Sequence, residues 1–187
     1  MDLRRPLSRR LALGAGGLSL LAACAPARVV TEDGSYDLLT MLRDKPEYTR
    51  FVNALTVSGQ AGRIGRQNGA VTLFVPVDSA MNGLPPDLLR LLDSPPSSPS
   101  AEQRALVATF VNANAAFGLL RLADMEARRN AVTTWDRARL NVARTGQRTA
   151  TITRVGAPAG RAPVQITRAD ILGSDGVFHV TSAPILP

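Results

Sequence analysis

Few side chains in this sequence could do chemistry. Its 187 residues include one His and one Cys. His179 lies in Gly176-Val177-Phe178-His179-Val180-Thr181, an apolar and β-branched run that predicts a strand. On a strand it shares a face with Val177 and Thr181. As a general base it would need a nucleophile and an orienting acid, and Ser182 and Asp175 are the nearest candidates. No G-x-S-x-G turn presents a Ser for attack. The residues therefore favour a His that fixes the last hairpin by hydrogen bonds. A single Cys and a single His argue against a disulfide framework, a Cys/His zinc site and a Cys–His nucleophilic pair. The acids show no spacing that singles out a carboxylate pair for glycoside chemistry. Asp175, in Gly173-Ser174-Asp175-Gly176, reads as a turn residue, with Gly supplying a positive φ. The Gly-rich stretch Gly62-Arg63-Ile64-Gly65-Arg66-Gln67-Asn68-Gly69 lacks the Lys-Ser/Thr ending of a phosphate loop and precedes a strand rather than a helix.

Charge offers a second kind of chemistry. The formal net charge is +7, and Lys45 is the only Lys, so the cations are almost all Arg. Arg128, Arg129, Arg137, Arg139, Arg144, Arg148, Arg154, Arg161 and Arg168 make the second half basic. Such a surface could meet acidic polysaccharide, lipopolysaccharide or anionic head groups; the simpler reading is a solvated Arg-rich exterior. Aromatics make up only 4% of the chain, too few for base-stacking platforms, so no nucleic-acid partner is expected.

The first residues read as an address. Arg4, Arg5, Arg9 and Arg10 precede an apolar stretch from Leu11 to Ala23, too short to span a bilayer and suited to a signal peptide over residues 1–23. The stretch ends in Leu21-Ala22-Ala23-Cys24, which resembles the lipobox of bacterial lipoproteins, with Cys24 as the lipidation site. The thiol would accept a diacylglyceryl group, and the chain would be held to a membrane through that anchor at Cys24. Ser8-Arg9-Arg10 also resembles a twin-arginine signal, so twin-arginine and general secretory export both stay open. Removal of residues 1–23 takes away those four Arg and Asp2 and leaves a net charge of +4. Ala25 follows the Cys where Asp would suggest inner-membrane retention, which points to the outer membrane, at its periplasmic face or the cell surface. Residues 24–34 then form a short tether.

The elements that must position any site follow from periodicity. Ser35 can cap a helix at Tyr36–Arg43, and Pro46 can open another that Gly59 closes, with Phe51 and Leu55 buried. Val71 to Val75, bounded by Pro76, predicts a buried strand. Asp78 can cap a short helix through Met81, and Pro85 or Pro86 can begin one bearing Leu88, Leu89, Leu91 and Leu92. After a Pro- and Ser-rich loop at Asp93–Ser100, Ser100 and Gln103 form a capping box for a helix at Ala101–Asn112. From Val132 onward the period becomes two, around Leu140 and Val142, Thr149–Thr153, Val164–Ile166 and Val177–Val180. Helices first and strands later argue for one α+β domain over residues 35–187.

Two segments resemble a known family. Thr72–Pro85, TLFVPVDSAMNGLP, is similar to the first signature segment of the fasciclin (FAS1) family, and Ala169–Pro187, ADILGSDGVFHVTSAPILP, to the second. The resemblance implies an α+β wedge of two β-sheets with helices along one edge. It implies a non-enzymatic, cofactor-free role in adhesion or envelope association, with polysaccharide or another surface protein as partner. Asp170-Ile171 resembles the Asp-Ile segment through which animal members contact integrins, although the simpler reading of Asp170 is structural, turning the chain into the last hairpin; Asp78 and His179 occupy structural positions of the two motifs. Many members carry a Tyr-His pair between the motifs; Ala108-Thr109-Phe110-Val111-Asn112 here has no His. A binding protein for a small apolar ligand or pigment is the alternative function.

Overall fold

The computed structural model describes residues 34–65, 69–128 and 131–187. The signal segment, Cys24 and the tether up to residue 33 lie outside the described residues, as do 66–68 of the Gly-rich loop and Arg129.

The chain begins with helices whose ends are written in local sequence. Helix α1 (Leu38–Arg43) is capped by Asp37, whose carboxylate accepts from the Thr40 N–H at 2.8 Å. The expected cap, Ser35, lies two residues too early, because Asp37 takes the extended conformation a cap requires. A 3-10 turn at Pro46–Tyr48 leads into α2 (Thr49–Val57), and Gly59 ends it with φ of 72°, a left-handed conformation that favours Gly. Phe51 and Leu55 are fully buried on one face of α2. Helix α3 (Pro86–Asp93) buries Leu88 and Leu92 one turn apart. In α4 (Ala101–Ala113), Ser100 and Gln103 form the expected capping box.

Among the described residues seven strands follow the order β2-β1-β7-β6-β5-β4-β3. They are β1 (Val71–Pro76), β2 (Ala115–Phe117), β3 (Ala131–Thr133), β4 (Arg139–Arg144), β5 (Ala150–Arg154), β6 (Val164–Gly173) and β7 (Gly176–Thr181). Of these described pairs, β1–β7 is parallel, from Val71↔Gly176 to Pro76↔Thr181, and the others are antiparallel. The two expected sheets are therefore halves of one hydrogen-bonded array, joined through β6. Pairing of β6 with β7 slips between Ile166 and Arg168 and again between Arg168 and Ile171. Bulges of this kind bend a strand and increase its twist, which lets one strand serve both halves of a wedge. The far ends also meet: Ala116 bridges Thr134, and the Trp135 N–H donates to the Ala115 carbonyl at 2.8 Å.

All six residues of β1, and all six of β7, are buried, so both faces of this central pair are covered. Leu73, Val75, Phe178 and Val180 face a core built with the helices, around Phe51, Leu55 and Phe110. Phe74 faces the second core, between the halves of the wedge, with Leu140, Val142, Ile152 and Ile166. The short strand β2 and α5 (Leu122–Ala127) lie in the stretch between 113 and 131 that periodicity left unassigned. No helix among the described residues is long and apolar enough to cross a membrane.

The β6–β7 turn departs from expectation. Neither Gly173 nor Gly176 has a positive φ. Their glycine identity answers to crowding instead. A Cβ on Gly176 would lie 2.2 Å from the Val71 carbonyl oxygen, and one on Gly173 would lie 2.6 Å from Leu38 Cδ2. Asp175 takes no turn role through its side chain either; its Oδ1 accepts the Leu38 N–H at 2.9 Å and ties α1 to the hairpin.

Candidate functional site

The one imidazole stands at the centre of a polar chain that crosses the second core. β7 delivers His179 to the inner face of the wedge, fully buried, with its ring stacked on Phe74 at 5.7 Å between centroids. Nε2 lies 2.9 Å from the Leu120 carbonyl, which can only accept, so Nε2 carries the proton. Nδ1 then accepts the Asp170 N–H at 3.2 Å. Burial pushes the His179 pKa below its ordinary value; the Leu120 carbonyl and the Asp170 charge oppose the shift. A neutral imidazole with both nitrogens on backbone groups has no site left for a substrate proton.

The chain continues outward on both sides. Thr72 donates its hydroxyl to the Gly118 carbonyl at 2.7 Å and accepts the Leu120 N–H at 2.9 Å. Asp170, the bulged residue of β6, has φ of 61°, a conformation that costs energy for a non-Gly residue but that Asp tolerates better than most. That backbone turn aims its carboxylate at the start of α5, where Oδ1 accepts the Leu122 N–H at 2.9 Å. His179, Thr72 and Asp170 thus hold segment 118–122 against β1, β6 and β7. Asn114 performs the same service for the C-terminal tail. Its amide donates to the Phe110 and Ile185 carbonyls and accepts the Ile185 N–H.

The other residues singled out by type are dispersed. Ser182 accepts the Gln165 N–H at 3.0 Å and Asp175 serves Leu38, so neither joins His179. Ile171 is 1% exposed within the helix-side core, whereas the Asp170 side chain is 30% exposed. Any partner that reads this dipeptide in the folded domain meets the carboxylate and not the isoleucine. Asp78 does not cap its own 3-10 turn at Asp78–Met81. Its Oδ1 accepts the Arg50 N–H in the first turn of α2 at 3.0 Å, a cap supplied across the fold. Burial raises the Asp78 pKa, against the Arg50 N–H and guanidinium. Arg50 also reaches Asp93 at 2.7 Å, the Asp78 carbonyl at 2.6 Å and Asn82 at 2.7 Å, which locks α2 to α3. Where the family carries its Tyr-His pair, Phe110 is buried and Asn112 accepts from Gln60 and from the Asp136 N–H. Among the described residues no group of three His, Cys, Asp or Glu could hold a metal ion.

The basic half resolves into two populations. Arg148 donates twice to the Ala169 carbonyl, Arg144 pairs with Glu126 at 3.2 Å, and Arg154 pairs with Asp136 at 2.8 Å with both side chains over four-fifths buried. Burial raises the Asp136 carboxyl, but bonds from Thr134, Arg154 and Ala138 outweigh it and hold the pKa below the ordinary value. Arg128, Arg137 and Arg139 are exposed. Exposed apolar side chains gather nearby in sequence at Phe117 (57%) and Leu119 (38%). Phe117 lies 6.3 Å from Trp135, and the Arg63 guanidinium covers the Trp135 ring at 4.2 Å. A cleft of about 280 Å³ opens where the end of β5, the β5–β6 loop and the tail at 183–186 meet the 3-10 turn. Sequence reasoning found neither this cleft nor the roles of Asn114, Thr72 and Arg50. Polar residues in otherwise apolar stretches, such as Thr72 within Val71–Val75, were the available signal.

The fold is a helix-flanked wedge built around a central parallel β1–β7 pair, with a buried polar chain that ties distant segments to it. The family model for the Fasciclin domain matches residues 46–187, and the chain belongs to that family. Among solved structures it is similar to the FAS1 domain pair of the insect cell adhesion molecule Fasciclin I, with a TM-score of 0.66 and 14% identity. The match covers 82% of this chain and 52% of the other, so the chain spans about half the length of that pair; at this identity the likeness concerns fold alone. No curated protein matches the sequence.

Proposed function

We propose that this chain is a non-enzymatic, lipid-anchored module of the cell envelope that acts in adhesion or in association with envelope or matrix material. The observation that carries the reading is the state of His179: the sole imidazole is fully buried, with both nitrogens on backbone groups. Thr72, Asn114, Asp175 and Asp170 are likewise bound to backbone, which leaves the domain's exterior to make contacts. That exterior offers exposed Arg128, Arg137 and Arg139 and the apolar Phe117 and Leu119, a composition suited to acidic polysaccharide or to another surface protein. The anchor is Cys24 at the end of Leu21-Ala22-Ala23-Cys24, after export, with the outer membrane as destination. Fractionation of cells making the wild type or Cys24→Ser tests the anchor. Wild type should sediment with membranes, and the variant should be released or remain an uncleaved precursor. Equal retention of a processed variant would sink the lipid-anchor reading. Retention of the purified full chain on isolated envelope polysaccharide tests the adhesive part, and retention no greater than that of an unrelated exported protein would count against it.

One observation favours a second reading, a binding protein for a small apolar ligand. The cleft at the β5–β6 end is walled by Ile152, Val164, Pro184, Ile185 and Leu186, and its volume of about 280 Å³ lies just under the roughly 300–1,000 Å³ of small-molecule sites.

A further inference from the structure

We propose that the end of the sheet at which the tether joins the domain docks on the lipid surface that holds Cys24, through Phe117 and Leu119. The proposal rests on the lipid-anchor reading above and adds how the folded domain sits on that membrane. Gly34 packs beside the β6–β7 turn, where a Cβ on it would lie 3.8 Å from the Gly173 carbonyl oxygen. The Ser174 N–H donates to the Tyr36 carbonyl at 2.8 Å, so the chain enters the domain at that turn. The same end of the sheet carries the start of β1 and the end of β2, since Val71 pairs with Gly176 on one side and Phe117 on the other. From β6 to β2 is three strand spacings, which places Phe117 roughly 15 Å from Gly173.

Phe117 and Leu119 flank Gly118, whose N–H holds the Ala70 carbonyl at 3.0 Å, and both leave apolar area in water that a bilayer interface would cover. Beside them the exposed Arg63 stands over the Trp135 ring, and its partners, the indole and the Gln60 side-chain oxygen, are uncharged. Asp37 caps α1, and Glu32 and Asp33 precede Gly34 in sequence, so apolar contact and not net charge drives the docking. Arg63 adds one contact to a phosphate head group. Two side chains offer far less area than the roughly 800 Å² per partner of a stable protein interface. A membrane that already holds the chain removes that requirement. Gly34 follows Cys24 by ten residues, so it lies no more than about 36 Å from the lipidated position. Within that reach a weak contact becomes intramolecular and is strengthened by effective concentration. The exposed Arg128, Arg137 and Arg139 then remain for partners in the envelope.

Trp135 is the only Trp, and its ring lies 6.3 Å from Phe117, so its fluorescence reports the docking. The protein purified from membranes is reconstituted in vesicles of phosphatidylethanolamine and phosphatidylglycerol whose acyl chains are brominated near the head group or left unbrominated. Bromine quenches an indole only at short range. The wild type should float with the vesicles and lose Trp135 emission on the brominated ones. Phe117→Asp should still float, held by its anchor, with emission returned to the unbrominated level. Leu119→Asp should reduce the quenching too, and it decides the matter if Phe117→Asp melts low. A wild type that floats unquenched would overturn the docking and leave the anchor standing. A chain that carries no acyl group and does not float would overturn both. Quenching unchanged in two well-folded variants would place the contact elsewhere on the domain and overturn the assignment to this patch. Unquenched vesicles on which a Phe117→Cys chain oxidises to a dimer would reassign the patch to a second copy.

Discussion

Replacing His179 with Ala tests the central structural claim most directly. The substitution removes the acceptor of the Asp170 N–H and the donor to the Leu120 carbonyl. A buried group left without its partner costs about 1–3 kcal/mol. Leu120 is 2% exposed and should pay in full, whereas Asp170 is only part-buried and falls at the low end. The sum is about 2–5 kcal/mol, before the lost contact with Phe74, against a whole-domain stability of about 5–15 kcal/mol. For a domain of this size that lowers the melting temperature by about 5–20 °C. The pH dependence sharpens the test. Burial holds the folded-state pKa of His179 below its unfolded value of about 6.5. In acid the unfolded chain therefore takes up a proton that the folded chain refuses. The contribution is fully present above pH 6.5 and declines as pH falls below it, with a slope approaching about 1.4 kcal/mol per unit. Asp37 and Asp136, whose pKa values are lowered, lose their contributions only in the carboxylate range, and Asp78, raised, has the opposite sign. Urea melts of wild type and His179→Ala between pH 5 and 7 isolate the histidine. The gap between them should shrink toward pH 5. Parallel curves, or a variant within a degree or two of wild type at pH 7, would refute the buried neutral imidazole.

Phe74→Ala empties a fully buried ring site stacked on His179 and should cost about 3–5 kcal/mol; a melting shift of a degree or two would contradict its place in the second core. Gly176→Ala puts a Cβ 2.2 Å from the Val71 carbonyl oxygen, inside the parallel β1–β7 register. The pair must separate to admit it, so the loss should reach or exceed the roughly 1–3 kcal/mol of ordinary overpacking, and undiminished stability in a denaturant melt would contradict the crowding. Ser100→Ala removes the cap of α4 and should cost about 0.5–2 kcal/mol, read by the same melt, with no effect meaning that the capping box carries no stability.

Local signals account for much of this architecture. Helix starts and stops came from residues within three or four positions of one another: Ser100 with Gln103, Pro46 before α2, Gly59 after it. Where two local signals competed, as Ser35 and Asp37 did, only the backbone conformation at position 37 selected the cap. The short elements β2 and α5 escaped because three and six residues hold too little periodicity to stand out; β2 exists through its pairing with β1, and α5 through a carboxylate supplied by Asp170.

By itself the sequence determined the α+β order of elements, the apolar run Val71–Val75 as a buried strand, the two fasciclin segments and the scarcity of reactive side chains. These properties depend on residue type and short spacing, which the chain carries without folding. Tertiary structure alone decided what the polar residues do. Asp78 caps a helix that begins 29 residues before it, Asp170 one that begins 48 residues before it, and His179 bonds a carbonyl 59 residues away. Partners so far apart meet only after β1 and β7 pair in parallel and β6 bends, because a hydrogen bond depends on position in space and leaves no trace in sequence spacing. The cleft has the same origin: Ile152, Val164 and Ile185 are ordinary core residues in sequence, and only the packing of the tail across the β5–β6 end leaves space between them.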